Sequence, residues 1–293
     1  MYLSYFGLTD KPFSITPDSK YLFLTKQFEA ALDALEYTIR EKLGFAVLTG
    51  EVGTGKTTIA RAFLNKLGDK IESALLLNPL LSVPELLNAI NKDLGCATRL
   101  QTPQKQIESL NKFLLDRAEN GKSAVVIIDE AQNLSFESLE MVRMLTNLET
   151  ETAKLLQIVL VGQPELMKKL DSYDLRQLNQ RITVRSTLYP LNFVEMIRYI
   201  NHRIVLAGGM NKVFFDPSAY KELWKATHGY PRLINITCDR TLMAAYVLDT
   251  TTITNKIVKK AVNDLGIKPP RKRWLTNIRS WFPFEKRNTT TNG

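Results

Sequence analysis

The chain has 293 residues, of which 44% are hydrophobic and 24% charged, and its formal net charge is +9. This length allows a full hydrophobic core and favours more than one domain. No apolar run approaches the roughly 18 residues of a membrane span, the opening MYLSYFGLTDKPF does not resemble a secretory signal, and Cys96 and Cys238 lie far apart, so a cytosolic protein with reduced thiols is expected.

The first predicted elements are a helix at Lys26–Glu41, then a strand and a second helix joined by a glycine-rich loop. FAVLT, at 45–49, has the composition of a buried strand, and TTIARAFLNKL, at 57–67, repeats apolar residues at helical spacing. The loop between them contains the pattern G-x-x-x-x-G-K-T. A strand, this loop and a helix are the arrangement that a phosphate-binding loop requires. The alternative is an ordinary glycine-rich turn.

This loop predicts a site for ATP with Mg2+. Glycines let backbone N–H groups converge on phosphate oxygens, and the start of a helix attracts the same anion. Lys56 would reach the β- and γ-phosphates, and the Thr57 hydroxyl would ligate Mg2+. The residues predicted to bind the nucleotide are Gly50, Glu51, Val52, Gly53, Thr54, Gly55, Lys56, Thr57 and Thr58.

Further strands are predicted at SALLL, AVVII, LLQIVLV and ITVRST, with helical patterns between them. Strands that alternate with helices favour a parallel sheet of five strands covered on both faces. After YPLN the pattern is helical only. The helices expected there are Phe193–Leu206, Pro217–Thr227, Pro231–Leu248 and Asn255–Leu265. Asp216 followed by Pro217 is typical of a helix start. An α/β domain, a small all-helical domain and a tail are therefore expected.

A second chemical group is AVVIIDEAQNL, in which an apolar strand ends in Asp129 and Glu130. Asp129 would lie in the second shell of Mg2+, opposite the phosphate loop, and Glu130 would orient the attacking water or accept its proton. The alternative is that both carboxylates cap the next helix. Because the pair follows a phosphate loop at a suitable distance, the catalytic interpretation is favoured.

Glutamate directly after the magnesium aspartate is typical of NTPases that insert a further strand between the two motif strands. QIVLVGQPEL supplies this strand, and Gln163 at its end is the candidate sensor of the γ-phosphate. Asparagine is the commoner residue at this place, so the rate of hydrolysis stays open.

Three arginines complete the candidate site. Arg176 and Arg181 precede the last strand, where an oligomer would present one of them to the γ-phosphate of a neighbour, and Arg181 is the predicted catalytic one. Arg232, in HGYPRLIN, would reach the phosphates of its own subunit from the start of a helix. The alternative is that these are ordinary surface arginines.

The motifs GEVGTGKTT, IIDEAQNL, VGQPEL, QRI and GYPRLIN occur in this order, and together they resemble an AAA+ ATPase. The opening YFGLTDKPFSITPDSKYLF and the later EAALDAL are similar to the ExeA/GspA and MshM group, which is linked to type II secretion and type IV pilus-like machinery. The resemblance implies an AAA+ P-loop NTPase fold with a helical lid, ATP at a subunit interface and ring or partial-ring oligomers. ExeA-like members continue into a transmembrane helix and a peptidoglycan-binding region. Because the sequence shows no sign of either, the shorter MshM-like form is the expected match.

The expected organisation is a linker and helix at 1–44, the ATPase domain at 45–190, the lid at 191–266 and a basic aromatic tail at 267–293. From residue 256 onward the chain has ten Lys and Arg against two acidic residues, whereas the earlier part is nearly neutral. As a helix, the tail would place its aromatic and aliphatic residues on one face, with cations around them. Residues 269–287 therefore suit an anionic membrane surface. Docking on a protein partner or on the chain itself, nucleic acid binding, and disorder are the alternatives.

These features predict an ATPase that assembles or regulates a secretion or pilus-like envelope machine, in the cytoplasm or at the inner face of the inner membrane. Its expected partners are further copies of itself and a protein of that machine. One alternative is a DNA-associated AAA+ regulator of the transposition type, which is disfavoured because the positive charge gathers at one terminus and no helix-turn-helix is evident. The other alternative is a slow nucleotide switch.

Overall fold

The computed structural model describes residues 2–267, except for 17, 78, 97–101, 152 and 211. The tail predicted to contact a membrane, at 269–287, lies outside the described residues. That contact therefore stays a prediction.

A parallel sheet of five strands forms the centre of the protein. The strands are β1 (Phe45–Gly50), β2 (Ile71–Leu76), β3 (Ser123–Ile128), β4 (Leu156–Gly162) and β5 (Ile182–Leu188). Their order across the sheet is β2-β3-β4-β1-β5, so β4 lies between the two motif strands β1 and β3. This position confirms the inserted strand that the sequence predicts. β1 and β4 are buried along their whole length, since helices cover both faces of the sheet.

Apart from a short helix at the start of the chain, which the sequence did not predict, the helices agree with the predicted pattern within a few residues at their ends. They are α1 (Tyr2–Tyr5), α2 (Lys26–Arg40), α3 (Lys56–Lys66), α4 (Val83–Leu94), α5 (Pro103–Glu119), α6 (Phe136–Leu145), α7 (Pro164–Leu170), α8 (Arg176–Arg181), α9 (Phe193–Leu206), α10 (Pro217–Thr227), α11 (Pro231–Val247) and α12 (Asn255–Asp264). Asp216 caps α10 as expected, because its carboxylate accepts a hydrogen bond from the Ala219 N–H. In the described part of the chain, no helix is both long and apolar enough to cross a bilayer.

Two hydrophobic clusters cover the two faces of the sheet. Successive residues of β3 point to opposite faces, so Val126 belongs to the cluster beneath α4, α5 and α6, whereas Val125 belongs to the cluster beneath α2 and α3. Fully buried side chains of this size each contribute roughly 1.5–3 kcal/mol. The packing holds the carboxyl ends of the strands, and the loops that follow them, in fixed positions.

A third cluster joins the start of the chain to the helices that follow the sheet. Buried Tyr2, Phe6 and Phe13 pack with residues of α9, α10 and α11. The Thr9 N–H donates to the Ala207 carbonyl at 2.8 Å. The helical part also contains a minimal parallel pairing between β6 (Phe214–Phe215) and β7 (Thr252–Ile253), which the sequence did not predict. The first residues of the chain are therefore an integral part of the helical unit's core.

Candidate functional site

The loop between β1 and α3 depends on glycine at positions where no side chain fits. Gly53 and Gly55 have φ angles of 80° and 103°, in the left-handed region that favours glycine. A Cβ added at Gly55 would lie 2.7 Å from the ring of Phe28 on α2. A Cβ added at Gly50 would lie 2.8 Å from the Leu188 carbonyl oxygen. The loop is therefore built for close backbone packing, as a phosphate cradle requires.

Lys56 is held inside this loop. Only 5% of the residue is exposed, and its Nζ donates to the Glu51 carbonyl at 3.1 Å. Burial lowers the pKa of Lys56, while the nearby carboxylates of Glu130 and Asp129 act in the opposite direction. The Thr54 hydroxyl donates to the same carbonyl at 2.8 Å. These bonds keep the ammonium beside the loop, where an anion would remove its desolvation penalty.

Thr57 and Asp129 meet across the carboxyl end of the sheet. The Thr57 hydroxyl donates to Asp129 Oδ2 at 2.6 Å, and Asp129 is 3% exposed. Both offer the hard oxygen ligands that Mg2+ prefers, and Mg2+ usually takes its remaining ligands from water and substrate phosphates. Within the described residues no group of three His, Cys, Asp or Glu side chains is placed to hold a metal ion alone. The residues fit a magnesium ion that arrives with a nucleotide.

Glu130 lies in a network of amide groups. Its φ of 52° places the backbone in the left-handed region. Glu130 Oε2 accepts hydrogen bonds from Gln132 Nε2 at 2.6 Å and from Gln163 Nε2 at 3.1 Å. Gln132 Oε1 in turn accepts from the Gln163 N–H at 3.0 Å. The predicted base and the predicted sensor are thus in direct contact. The sequence did not predict Gln132, for which the only signal is a polar side chain two residues after Glu130.

A cavity of about 340 Å³ lies between the carboxyl end of the sheet and the helical unit. Lys56, Thr57 and Glu130 line one end of it, together with Val52, Gly53, Gly55 and Thr58 of the loop. Of the other predicted binding residues, Gly50 and Thr54 are buried within the loop, and Glu51 supplies its carbonyl to Lys56. The loop residues therefore divide into those that face the cavity and those that support the turn.

The other end of the cavity is formed by residues that the sequence did not predict. They belong to an N-terminal strap, which we define as residues 12–16 and 18–23, and to α9 and α11. Arg203 on α9 is 6% exposed, and its guanidinium donates to the carbonyls of Pro12 and Ser14 in the strap. It also donates to the Tyr199 hydroxyl at 2.8 Å. Arg203 therefore ties the strap to the helical unit.

Arg232 also lines the cavity, and its predicted contact with the phosphates stays a prediction. Its side chain lines the space beside the loop, and its N–H donates to the Gly53 carbonyl at 3.3 Å. A Cβ added at Gly53 would lie 2.8 Å from the Cβ of Arg232. The start of α11 is thus in direct contact with the phosphate loop.

The two arginines before β5 do not line this cavity. Arg181 Nη1 donates to the Arg143 carbonyl at 3.3 Å, to the Thr146 hydroxyl at 3.0 Å and to Asn147 Oδ1 at 2.6 Å, at the end of α6. Arg176 is exposed and lies 4.0 Å from the centroid of the Tyr173 ring. Their location outside the cavity of their own chain is compatible with action on a neighbouring subunit, which stays a prediction.

Known proteins include sequences similar to this chain. Residues 39–170 match a family model described as an AAA domain. General secretion pathway protein A of Aeromonas hydrophila is 44% identical over 247 residues, which cover 84% of this chain and 45% of that protein. The chain thus spans less than half the length of this relative. The match confirms the resemblance to the ExeA/GspA group of AAA+ ATPases.

Similar folds occur among solved structures. The ORC2 protein of Aeropyrum pernix superposes with a TM-score of 0.67 at 16% identity, over 87% of this chain and 71% of that one. The RuvB Holliday junction branch migration motor of Thermotoga maritima has a TM-score of 0.56 at 21% identity, over 84% of this chain and 70% of that one. At these identities the likeness shows the fold alone, which is the predicted P-loop architecture.

Proposed function

Because this chain is an AAA+ protein similar to General secretion pathway protein A, we propose that it binds and hydrolyses ATP in order to assemble or regulate a secretion or pilus-like envelope machine. The observation that carries the enzymatic part is that Lys56, Thr57 and Glu130 line one end of the cavity, while Asp129 accepts hydrogen bonds from the Thr57 hydroxyl and the Glu130 N–H. A buried lysine, a hydroxyl and two carboxylates arranged around a glycine loop fit the Mg2+ complex of a nucleoside triphosphate.

The phosphates would bind to the loop amides at the start of α3, with Lys56 exchanging its bond to the Glu51 carbonyl for phosphate oxygens. Thr57 would exchange its bond to Asp129 for Mg2+, and Asp129 would hold a water ligand of that ion. Bound Mg2+ would supply charge that stabilises the phosphate oxygens. The nucleoside would occupy the end formed by the strap and the helical unit.

Glu130 would orient a water molecule and accept its proton as the water oxygen bonds to the γ-phosphorus. The bond from that phosphorus to the bridging oxygen breaks, and ADP leaves with the electron pair. The products are ADP, phosphate and a proton on Glu130, which returns to solvent. Arg232 reaches the loop from the helical unit, so release of the γ-phosphate would be transmitted to α11.

Nucleotide binding is tested with Lys56→Ala. Losing a buried charge-assisted contact of about 3 kcal/mol should weaken ATP binding at least about a hundredfold. The matched control is Lys112→Ala, since Lys112 is an exposed lysine on α5. The control variant should bind ATP with the affinity of the wild type. Equal affinities of all three proteins would refute the site.

Oligomer function is tested by mixing two inactive variants. In a mixture of Arg181→Ala and Glu130→Gln subunits, some interfaces combine an intact Glu130 with an intact Arg181, so part of the activity should return. The same mixture with Arg176→Ala in place of Arg181→Ala tests the other arginine. Mixed oligomers that remain inactive with Arg181→Ala would contradict its role in trans.

The envelope role and a peripheral location at the inner membrane rest on the relative's name and on the tail at 269–287. We expect anionic vesicles to stimulate ATP turnover and to sediment the full chain. Removal of residues beyond 268 should abolish both effects. Stimulation by duplex DNA instead of vesicles would contradict this role.

A further inference from the structure

Gln132 makes contacts that differ from those of an ordinary turn residue. It belongs to the turn Ala131–Asn133, which directly follows Glu130. Its side-chain nitrogen donates to the Glu130 carboxylate, and its side-chain oxygen accepts from the backbone of Gln163. One amide group therefore connects the end of β3 to the end of β4.

The surroundings of Gln132 fix it in this orientation. A carboxylate oxygen can only accept and a backbone N–H can only donate, so the amide has a single orientation that satisfies both partners. A Cβ added at Gly162 would lie 2.9 Å from Gln132 Oε1, so glycine there leaves room for the contact. Lys169 on α7 donates to the main-chain carbonyls of Gln132 and Leu134. Gln163 directly precedes α7 and Lys169 lies near its last residue, so the turn is bonded to both ends of this helix.

The bonds leave a defined part of Glu130 for chemistry. Oε2 is occupied by the two glutamine amides, while Glu130 also lines the cavity. The carboxylate can therefore be held from one side and still receive a proton on its other oxygen. The two hydrogen bonds limit rotation of the Glu130 carboxylate. Orientation of a catalytic group contributes strongly to the reaction rate.

We propose that Gln132 is a positioning residue that couples the catalytic carboxylate of Glu130 to the sensor Gln163. This inference rests on the proposed ATPase function. In this arrangement Gln163 cannot move relative to the γ-phosphate without disturbing the amide that holds Glu130. Gln132 does not line the cavity, and it acts through these two neighbours.

The test is a comparison of Gln132→Ala and Gln132→Glu with the wild type. Alanine removes both bonds, so kcat should fall about tenfold to a hundredfold. Glutamate has the same size and keeps an oxygen for the Gln163 N–H, but it places a second carboxylate beside Glu130, and its kcat should be as low or lower. The affinity for ATP should stay within about threefold, because Gln132 does not line the cavity beside the phosphate loop. Gln177→Ala is the matched control, since Gln177 is exposed on α8.

A double-variant cycle with Gln163→Ala separates coupling from a merely structural role. If the two glutamines act as one unit, the double variant should be no slower than the slower single variant. A double variant whose kcat falls by the product of the two single reductions would overturn the proposal. A wild-type kcat in Gln132→Ala, or restored turnover in Gln132→Glu, would overturn it as well. If the wild type turns over ATP and Glu130→Gln does not, such outcomes overturn this inference alone. If the wild type does not hydrolyse ATP, the proposed function itself fails.

Discussion

The two ends of the cavity are built in different ways. At the end beside the glycine-rich loop, the predicted site residues follow β1, β3 and β4, three neighbouring strands of one parallel sheet. At the other end, the wall joins the strap to α9 and α11, and Arg203 bonds to Pro12 across 191 positions of sequence. The end beside the glycine-rich loop is formed by short local motifs. The other end is formed by contacts between the beginning and the later part of the chain.

The largest expected effect concerns the hydrophobic cores of the helical unit and of the sheet. Phe6 lies in the cluster of the helical unit and Phe63 in a cluster beneath the sheet, and they are 1% and 0% exposed. Replacement of either by alanine should lower the free energy of unfolding by about 3–5 kcal/mol. Chemical denaturation would measure both. If Phe6→Ala lowers the free energy of unfolding by less than about 1 kcal/mol, the beginning of the chain is a linker and does not belong to the core of the helical unit.

Arg203 should have a smaller but distinct effect. Arg203→Met keeps most of the side-chain length but removes the donors to Pro12, Ser14 and Tyr199. Charge-assisted hydrogen bonds are worth roughly 1.5–3 kcal/mol each, and water from the cavity would replace part of them, so we expect a loss of about 2–3 kcal/mol.

Trypsin provides a second measurement on the same variant. Cleavage after Lys20 in the strap should become faster in Arg203→Met, while the sheet keeps its resistance. Arg203→Lys, which retains a charge, should be intermediate. Identical cleavage in all three proteins would show that Arg203 does not fasten the strap.

The smallest effect is expected at the junction between the strap and α2. Thr25 follows the strap and caps α2, since its hydroxyl accepts from the Phe28 N–H. Thr25→Ala should cost about 1 kcal/mol in unfolding free energy, whereas Thr25→Ser should cost only a few tenths. A loss as large in the serine variant as in the alanine variant would mean that packing of the methyl group, and not the cap, matters here.

The same contrast explains what could be predicted from sequence. Lys56 and Asp129 could be predicted to lie together because each stands at a fixed place in a short motif after an apolar strand, and parallel strands bring such places to one edge. The contacts of Gln132 could not be predicted, because they depend on the register between β3 and β4. Arg203 could not be assigned either, since nothing local distinguishes an arginine that a distant strap will bury. Arg181 was predicted for its position before β5, but its bonds at the end of α6 depend on tertiary packing.

The central claim is that this chain hydrolyses ATP with Glu130 as the group that activates water. The most direct test measures ATP affinity and steady-state turnover on the same preparation of Glu130→Gln, with Glu108→Gln on the exposed face of α5 as control. We predict that Glu130→Gln binds ATP like the wild type while its turnover falls at least about a hundredfold, and that the control is unchanged. Turnover of Glu130→Gln at the wild-type rate would contradict the account.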